Sequence, residues 1–311
     1  MNVRYGKKKY VLGVDGGGTQ TTAILVGLDG AVVAEEKSVS TNIQVVGVEK
    51  ATKTIIKLIF ACCKKTGCDI NSIKSIVLGL AGAGRVSDKK VLLEGLKKSQ
   101  IMLPAVTVET DARIALEAAF ASSYGIVLIA GTGSIAVSKD ENGKFFRLGG
   151  WGRILGDEGS GYSIGLKALN AAIRAYEGRG DKTILINFAL EHFECKTLDD
   201  VVSKIYSGST DIAAFASKVI KASAEFDHVA HNILFNQANE LAELVLTLIP
   251  QMHPKRKMPV ALMGGLLETE NVYSKMVKER ISRSLPQIII QKPKFPAAFG
   301  AAIMGLKAFE F

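Results

Sequence analysis

The chain has 311 residues, of which 48% are hydrophobic and 22% are charged, and it carries a formal net charge of +9. The hydrophobic fraction excludes a disordered chain, and the length is sufficient for two domains that each have a hydrophobic core. The apolar runs are too short to span a membrane, no signal peptide is visible, and the lysines are dispersed rather than grouped with aromatic residues. We therefore predict a cytoplasmic protein with no membrane partner and no nucleic-acid partner.

The first predicted strand runs directly into a glycine turn. Residues 11–14 form a short apolar run, and Asp15, three glycines and Thr19 follow it. Glycines let the backbone turn tightly and bring its N–H groups close to phosphate oxygens, and the Asp15 carboxylate could hold a hydrated magnesium ion. Because glycine clusters usually mark ordinary turns, the pattern indicates a nucleotide site only when other features support it.

The following segments alternate helix and strand, as in a layered α/β domain. Ser87 and Asp88 are suited to capping the second of the two helices. The predicted elements are a helix over 48–65, a strand over 75–80, a helix over 87–98 and a strand over 107–110.

Asp111 follows the strand over 107–110 and opens a helix predicted over 112–121. Ligands of α/β proteins bind at the carboxyl ends of strands, which is where this carboxylate lies. Two interpretations stay open: Asp is a good helix N-cap, and it is also a residue that accepts the hydroxyl proton in a kinase. In either case the helix N-terminus is expected to keep Asp111 ionised at neutral pH.

The first pattern occurs again in the second half of the chain. Residues 127–134 form another apolar run that enters a Gly/Thr turn, and Asn142-Gly143 comes ten residues after Thr132, just as Asp29-Gly30 comes ten residues after Thr19. Both dipeptides are strong hairpin signals. The repeat predicts two related lobes, each offering one loop to a nucleotide held between them, although chance repetition of common hairpins is the alternative.

Residues 149–161 are rich in glycine and contain the single tryptophan, Trp151, together with Asp157 and Glu158. Carboxylates, backbone groups and an aromatic ring commonly bind sugars, whereas the simpler interpretation is a structural loop that caps the next helix. Beyond this loop we predict helices over 160–176, 185–192, 212–224 and 228–249, a strand over 258–263 that ends in Gly264-Gly265 near a base or ribose, and a last helix over 296–309.

The motifs at 13–19, 40–42, 110–112, 131–134 and 150–160 together resemble the N-acetylglucosamine kinase group of the BadF/BadG/BcrA/BcrD ATPase family. That family belongs to the superfamily of acetate and sugar kinases, heat-shock chaperones and actin. The resemblance implies an α/β fold of two ribonuclease-H-like lobes with a cleft between them. The lobes would cover residues 1–118 and 119–311, with a helical insertion in the second and the last helix packed back on the first.

The resemblance also assigns roles by position. Asp111 matches the catalytic base, and ATP and Mg²⁺ are the implied cofactors. The positions that match sugar contacts are Asn42, Asp111, Ser134, Gly150, Trp151, Gly152 and Asp157. The positions that match nucleotide contacts are Gly17, Gly18, Thr19, Gln20, Thr132, Gly133, Ala213, Gly264 and Gly265. Since dimers are common among such relatives, the resemblance also allows a homodimer.

Two departures bear on the sugar. Ala81 and Ile135 replace a serine and an asparagine of the mammalian enzyme, so glucosamine, glucose or another hexose is an alternative to N-acetylglucosamine. The ATPase activators of the same family bind an iron–sulfur cluster through cysteines, and the cysteines here do not match that pattern because Cys195 stands alone. A non-catalytic nucleotide or sugar sensor is the other alternative, against which Asp111 argues. We predict an ATP- and Mg²⁺-dependent kinase that phosphorylates a sugar hydroxyl, the one at C6.

Overall fold

The computed structural model describes residues 8–121, 123–208 and 210–309. The chain forms two compact units: the first ends at Ser123 and takes up the chain again from Pro293, and the second spans Tyr124–Lys292. Within the described residues, none of the helices is long and apolar enough to cross a membrane.

Each unit contains one five-stranded sheet. The strands are β1 (Tyr10–Gly16), β2 (Gln20–Gly27), β3 (Val32–Val39), β4 (Ile73–Leu80) and β5 (Ala105–Thr110) in the first unit, and β6 (Gly125–Ala130), β7 (Ser134–Lys139), β8 (Phe145–Gly149), β9 (Met258–Met263) and β10 (Ile288–Gln291) in the second. The spatial order is β3-β2-β1-β4-β5 in one sheet and β8-β7-β6-β9-β10 in the other.

The two sheets repeat the same pairing. In the first, β1–β2 and β2–β3 are antiparallel while β1–β4 and β4–β5 are parallel. In the second, β6–β7 and β7–β8 are antiparallel while β6–β9 and β9–β10 are parallel. Gly30 and Gly143 both have φ of +84° in the two hairpins, a conformation that favours glycine. The predicted duplication and the predicted α/β fold class are therefore confirmed.

Helices cover the sheets. They are α1 (Ile43–Val46), α2 (Val48–Thr66), α3 (Val86–Lys98), α4 (Asp111–Phe120), α5 (Gly161–Tyr176), α6 (Leu185–His192), α7 (Leu198–Tyr206), α8 (Ala216–Ala224), α9 (His228–Met252), α10 (Gly265–Glu268), α11 (Val272–Ser284) and α12 (Ala297–Lys307), with single 3-10 turns at Ile70–Ser72 and Ala213–Phe215. The predicted helices are confirmed to within a few residues, whereas the short α1 and α10, together with α7, α11 and β10, are elements that the sequence patterns did not reveal.

One predicted helix start was wrong. Helix α3 begins at Val86 with Arg85 as its N-cap, rather than at Ser87 and Asp88. Asp88 instead occupies the third helical position, where its carboxylate accepts the Arg85 backbone N–H at 3.3 Å. An Asp at this position also satisfies a free N–H at the helix start, so the same sequence signal fits either place.

The core of the first unit lies between its sheet and helix α2. On the helix, Ile55, Ile59 and Cys62 are fully buried, and Cys63 is nearly fully buried. Burial is the main cause that raises the pKa of each of the two thiols to about 12, so neither is a nucleophile at neutral pH.

Helix α12 packs against β1 and α4 in the first unit through residues without bulky side chains. A Cβ on Gly300 would lie 2.0 Å from the carbonyl oxygen of Ile114, and a Cβ on Gly13 would lie 2.3 Å from that of Ala298. Glycine at both positions lets the backbones come this close. This contact holds α4, the helix that begins at Asp111.

A buried carboxylate reinforces the contact between α4 and α12. Glu117 is 1% exposed and lies 3.2 Å from Arg113 of its own helix and 3.0 Å from Lys307 of α12. A carboxylate is buried without a large desolvation penalty only when such partners compensate its charge.

We expect Glu117→Ala to lower the free energy of unfolding by about 2 to 3 kcal/mol, because it leaves two cations without their shared counter-ion. The value stays below that of a fully buried pair because Arg113 and Lys307 keep part of their contact with water. Glu49→Ala is the matched control, since it removes an exposed i,i+4 pair with Lys53. Thermal melting of both variants tests this, and equal melting temperatures would contradict it.

Candidate active site

The parallel strands of the first unit end at one edge of their sheet. The register pairs Gly16 of β1 with Leu80 of β4, and Leu80 with Thr110 of β5. The turn after Gly16 is tight, since the Gly17 N–H donates to the Gln20 carbonyl at 2.9 Å. The predicted nucleotide residues Gly17, Gly18, Thr19 and Gln20 therefore form one turn at this edge, and the last three are exposed.

The segment 40–42 packs on this turn. The Ser40 hydroxyl donates to the Gly17 carbonyl at 3.0 Å, and the hydroxyls of Thr41 and Thr21 are 2.9 Å apart. Asn42 caps helix α1, and its side-chain oxygen lies 2.3 Å from where a Cβ on Gly82 would be. Asn42 is thus held beside the loop that follows β4.

Asp111 is not the N-cap of its helix. Thr110 is the cap, and its hydroxyl oxygen accepts the Arg113 backbone N–H at 3.1 Å. Asp111 is the first helical residue, and one of its carboxylate oxygens accepts the N–H of Ala112 at 2.8 Å. The capping interpretation was therefore wrong, because the side chain of Thr110 already accepts the free N–H at the helix start.

Burial raises the pKa of the Asp111 carboxyl, although backbone N–H groups at the helix start act in the opposite direction. We had expected the helix N-terminus to keep the group ionised, but desolvation is the larger effect. A raised pKa makes a carboxylate a stronger proton acceptor.

Asp15 forms the second carboxylate of this edge. Burial, and to a smaller degree the charge of Asp111, raises its pKa from 3.8 to about 6. A carboxylate whose pKa is raised by burial and by a neighbouring carboxylate is also a favourable place for a hard cation, because the cation's charge would offset both effects. The donor set therefore fits the predicted magnesium ion.

The second unit repeats the glycine turn at the end of β6. The Gly131 N–H donates to the Gly133 carbonyl at 2.9 Å, and the N–H groups of Gly161 and Tyr162 bond the carbonyls of residues 131 and 132. Thr132 is exposed at the tip of the turn. The turn is thus anchored to the start of helix α5.

The structure brings the predicted sugar residue Asp157 to this turn. A Cβ on Gly133 would lie 2.8 Å from an Asp157 carboxylate oxygen, so a larger residue there would displace this carboxylate. The Ser134 hydroxyl donates to the Glu158 carbonyl at 2.7 Å. Burial raises the pKa of Asp157, and hydrogen bonds from the backbone N–H groups of Ser134 and Gly152 oppose the shift.

Gly264, predicted to contact adenosine, and Ala213, predicted to contact the nucleotide, lie near the turn after β6. Gly264 has φ of +88°, and a Cβ on it would be 2.4 Å from the Ala130 carbonyl oxygen at the end of β6. A Cβ on Gly265 would meet nothing within 4 Å. The carbonyl of Ala213 would be 3.0 Å from a Cβ on Gly161. Within the second unit, the predicted nucleotide residues therefore gather around the end of β6.

The loop after β8 is exposed and built on glycines in the left-handed region. Gly149, Gly150 and Gly152 have φ of +71°, +69° and +90°. Trp151 is 71% exposed, and Leu155 is exposed as well. Such a loop places an aromatic ring in solvent, where it is available to a ligand.

Two buried residues that the sequence analysis missed support the Asp157 loop. The side-chain oxygen of Gln237 accepts the Gly159 N–H at 3.0 Å and the Ser163 hydroxyl at 2.5 Å. The Tyr273 hydroxyl donates to the Gly159 carbonyl at 2.6 Å, and Tyr273 is fully buried. A glutamine on the apolar face of a long helix is the signal that could have revealed this contact.

The model of the BadF/BadG/BcrA/BcrD ATPase family matches residues 12–305. The chain belongs to that family. The predicted resemblance is therefore confirmed, and it covers both units.

Two known kinases are similar to this chain over nearly their whole length. The N-acetylmuramic acid/N-acetylglucosamine kinase of Clostridium acetobutylicum is 34% identical over 95% of this chain and 98% of its own. The N-acetyl-D-glucosamine kinase of Dictyostelium discoideum is 29% identical over 97% and 99%. A crystal structure from Chromobacterium violaceum, of a protein thought to be an N-acetylglucosamine kinase, has the same fold with a TM-score of 0.78, at 24% identity over 96% and 99% of the two chains.

We expect Tyr273→Phe to cost about 1 to 3 kcal/mol of stability, because the buried Gly159 carbonyl loses its donor. Tyr176→Phe removes the same hydroxyl from a 68% exposed side chain and is the control. Differential scanning calorimetry of the two variants measures the difference, and a Tyr273 variant as stable as the control would refute the role of this bond.

We expect Asp15→Asn to raise the melting temperature by a few degrees at pH 8 in the presence of EDTA. The folded-state pKa of about 6 exceeds the ordinary 3.8, so ionised Asp15 destabilises the fold above about pH 6. Below about pH 4 the carboxyl is protonated in both folded and unfolded chains, and the gain should vanish.

The pH series of melting temperatures should therefore diverge between about pH 4 and pH 6 and stay parallel above. Asp29→Asn, in the exposed first hairpin, is the control and should not diverge in this way. A constant offset at every pH would contradict the explanation.

Proposed function

We propose that this protein is an ATP-dependent kinase that transfers the γ-phosphoryl group to a hydroxyl of an N-acetylated amino sugar such as N-acetylglucosamine. The observation that carries the proposal is the position of Asp111. Its carboxylate stands at the carboxyl edge of three parallel strands, has a raised pKa, and is not needed as a helix cap. The kinase names of the relatives from Clostridium acetobutylicum and Dictyostelium discoideum support the same conclusion.

The phosphates would lie on the glycine turns. Gly17, Gly18 and Thr19 in the first unit, and Thr132 and Gly133 in the second, offer backbone N–H groups and hydroxyls where side chains do not obstruct them. Gly264, Gly265 and Ala213 would contact the adenosine, and Gln20 would contact a phosphate. Mg²⁺ held through water by Asp15 would supply positive charge to the transferring phosphoryl group.

In the reaction that we propose, the sugar hydroxyl attacks the γ-phosphorus while Asp111 accepts its proton. The bond from the γ-phosphorus to the bridging oxygen breaks, and ADP leaves with that oxygen. Burial of Asp111 raises its pKa and so strengthens it as a proton acceptor, but the group must be ionised to act. The rate should consequently fall when pH drops below that pKa. We assign the C6 hydroxyl as the acceptor.

We assign the remaining predicted sugar residues to binding. Asp157 and Asn42 would accept or donate hydrogen bonds to sugar hydroxyls. Ser134 would do the same with its hydroxyl, whereas Trp151 would cover an apolar ring face. Gly150 and Gly152 would contribute backbone groups.

A specific observation favours a second candidate sugar. Ala81, whose N–H bonds the Gly16 carbonyl at 2.8 Å, and Ile135, whose Cδ1 lies 2.7 Å from a Cβ built on Gly150, offer no polar side chain. An acetamido group would find fewer hydrogen-bond partners there. Glucosamine or another hexose is therefore the alternative substrate.

Coupled ADP release with ATP and Mg²⁺ tests both candidates across N-acetylglucosamine, N-acetylmuramic acid, N-acetylmannosamine, glucosamine and glucose, with a control that lacks sugar. Preference for an N-acetylated sugar supports the proposal, and preference for glucosamine supports the alternative. Equal rates with and without every sugar would refute the kinase and leave an ATPase or sensor.

We expect Asp111→Asn to lower kcat by about 10² to 10⁴, because the amide cannot accept the hydroxyl proton. The Kd for an ATP analogue, measured by calorimetry, should change little. The control is Asp199→Asn, which also replaces an aspartate in the first turn of a helix but on an exposed surface. Wild-type turnover in the Asp111 variant would refute its role.

A further inference from the structure

Arg147 lies on β8 and directs its side chain along the glycine loop that follows it. Its Nε donates to the Gly149 carbonyl at 3.2 Å, and its Nη2 donates to the Gly150 carbonyl at 2.5 Å. One guanidinium thus bonds two successive carbonyls of the residues with φ of +71° and +69°. Arginine suits this geometry because its donors form a planar fork.

The same guanidinium contacts the tryptophan of the loop. Its carbon lies 5.0 Å from the centroid of the Trp151 ring, which is a cation–π distance. Trp151 is otherwise 71% exposed. Arg147 therefore touches the backbone before Trp151 and the ring of Trp151 itself.

A loop this rich in glycine is flexible unless side-chain contacts fix its backbone. Glycine loses more conformational freedom on folding than any other residue, and three glycines surround Trp151 within four positions. Hydrogen bonds to charged groups are stronger than those between neutral groups, so a single arginine can restrict this segment. Burial raises the pKa of Asp157, and the positive charge of Arg147 offsets a small part of that shift.

We propose that Arg147 is a positioning residue for sugar binding: it clasps the Gly149–Gly150 turn and sets the orientation of the Trp151 ring. The inference rests on the proposed function, because it takes the sugar as the ligand of this loop. Arg147 itself does not have to touch the sugar or ATP. The two hydrogen bonds and the ring contact that form the clasp join residues 147 to 151 only.

Arg147→Lys tests the clasp because it keeps the charge and loses the fork. Lysine is a point charge that cannot bond both carbonyls and lie flat on the ring at once. We expect the KM for the sugar to rise about tenfold while the KM for ATP and the melting temperature stay near their wild-type values. The matched control is Arg174→Lys, since Arg174 is an exposed arginine that also bonds one backbone carbonyl, that of Arg179, at 3.1 Å.

A second measurement does not depend on catalysis. Trp151 is the single tryptophan of the chain, so its time-resolved fluorescence anisotropy reports this loop alone. Arg147→Lys should increase the amplitude of its nanosecond motion, and Arg174→Lys should not. Unchanged anisotropy, or a freer Trp151 with an unchanged sugar KM, would overturn the positioning role. If the wild-type protein phosphorylates no sugar, the proposed function fails, while the anisotropy still decides whether the clasp exists.

Discussion

Parallel pairing of strands is the constraint on which the candidate site depends. Because β1, β4 and β5 run in the same direction and in register, the turn after Gly16, the loop at Ala81 and the carboxylate of Asp111 all emerge at one edge. The same pairing in the second unit sets Ala130, at the end of β6, beside Gly264. A slip of one residue would turn every side chain of a strand to the opposite face and separate these groups.

Close contact at glycines is the second condition, and at Gly13, Gly300 and Gly264 the nearest atom belongs to another backbone segment. Gly13 and Gly300 allow close packing of the last helix, α12. This helix belongs to the first unit, although it follows the second unit in sequence. Gly133 admits the Asp157 carboxylate and Gly264 admits the Ala130 carbonyl. Each contact is shorter than a Cβ contact in ordinary packing, so these glycines serve packing, apart from any role in binding phosphate that we propose for the glycine turns.

Each unit contains buried carboxylates that are costly to ionise, at positions where the chemistry is proposed to take place. Asp15, Asp111 and Asp157 all have a raised pKa, chiefly because burial removes them from water. By contrast Glu117, which is almost fully buried, is compensated by two cations and serves stability. Carboxylates that stay destabilised in the absence of ligands are characteristic of functional sites, where a bound cation or a substrate proton relieves the cost.

The sequence by itself determined the repeated strand–turn–strand–hairpin–strand pattern, most helices and the family, because glycine turns and hydrophobic periodicity are local signals. It also singled out Asp111, but not that Thr110 caps the helix, since both residues favour that position. Helix α11, β10, and the contacts of Gln237 and Tyr273 with Gly159 could not be predicted in this way. Only the tertiary structure decided them, because partners 78 and 114 residues apart in sequence meet through packing rather than through any local preference.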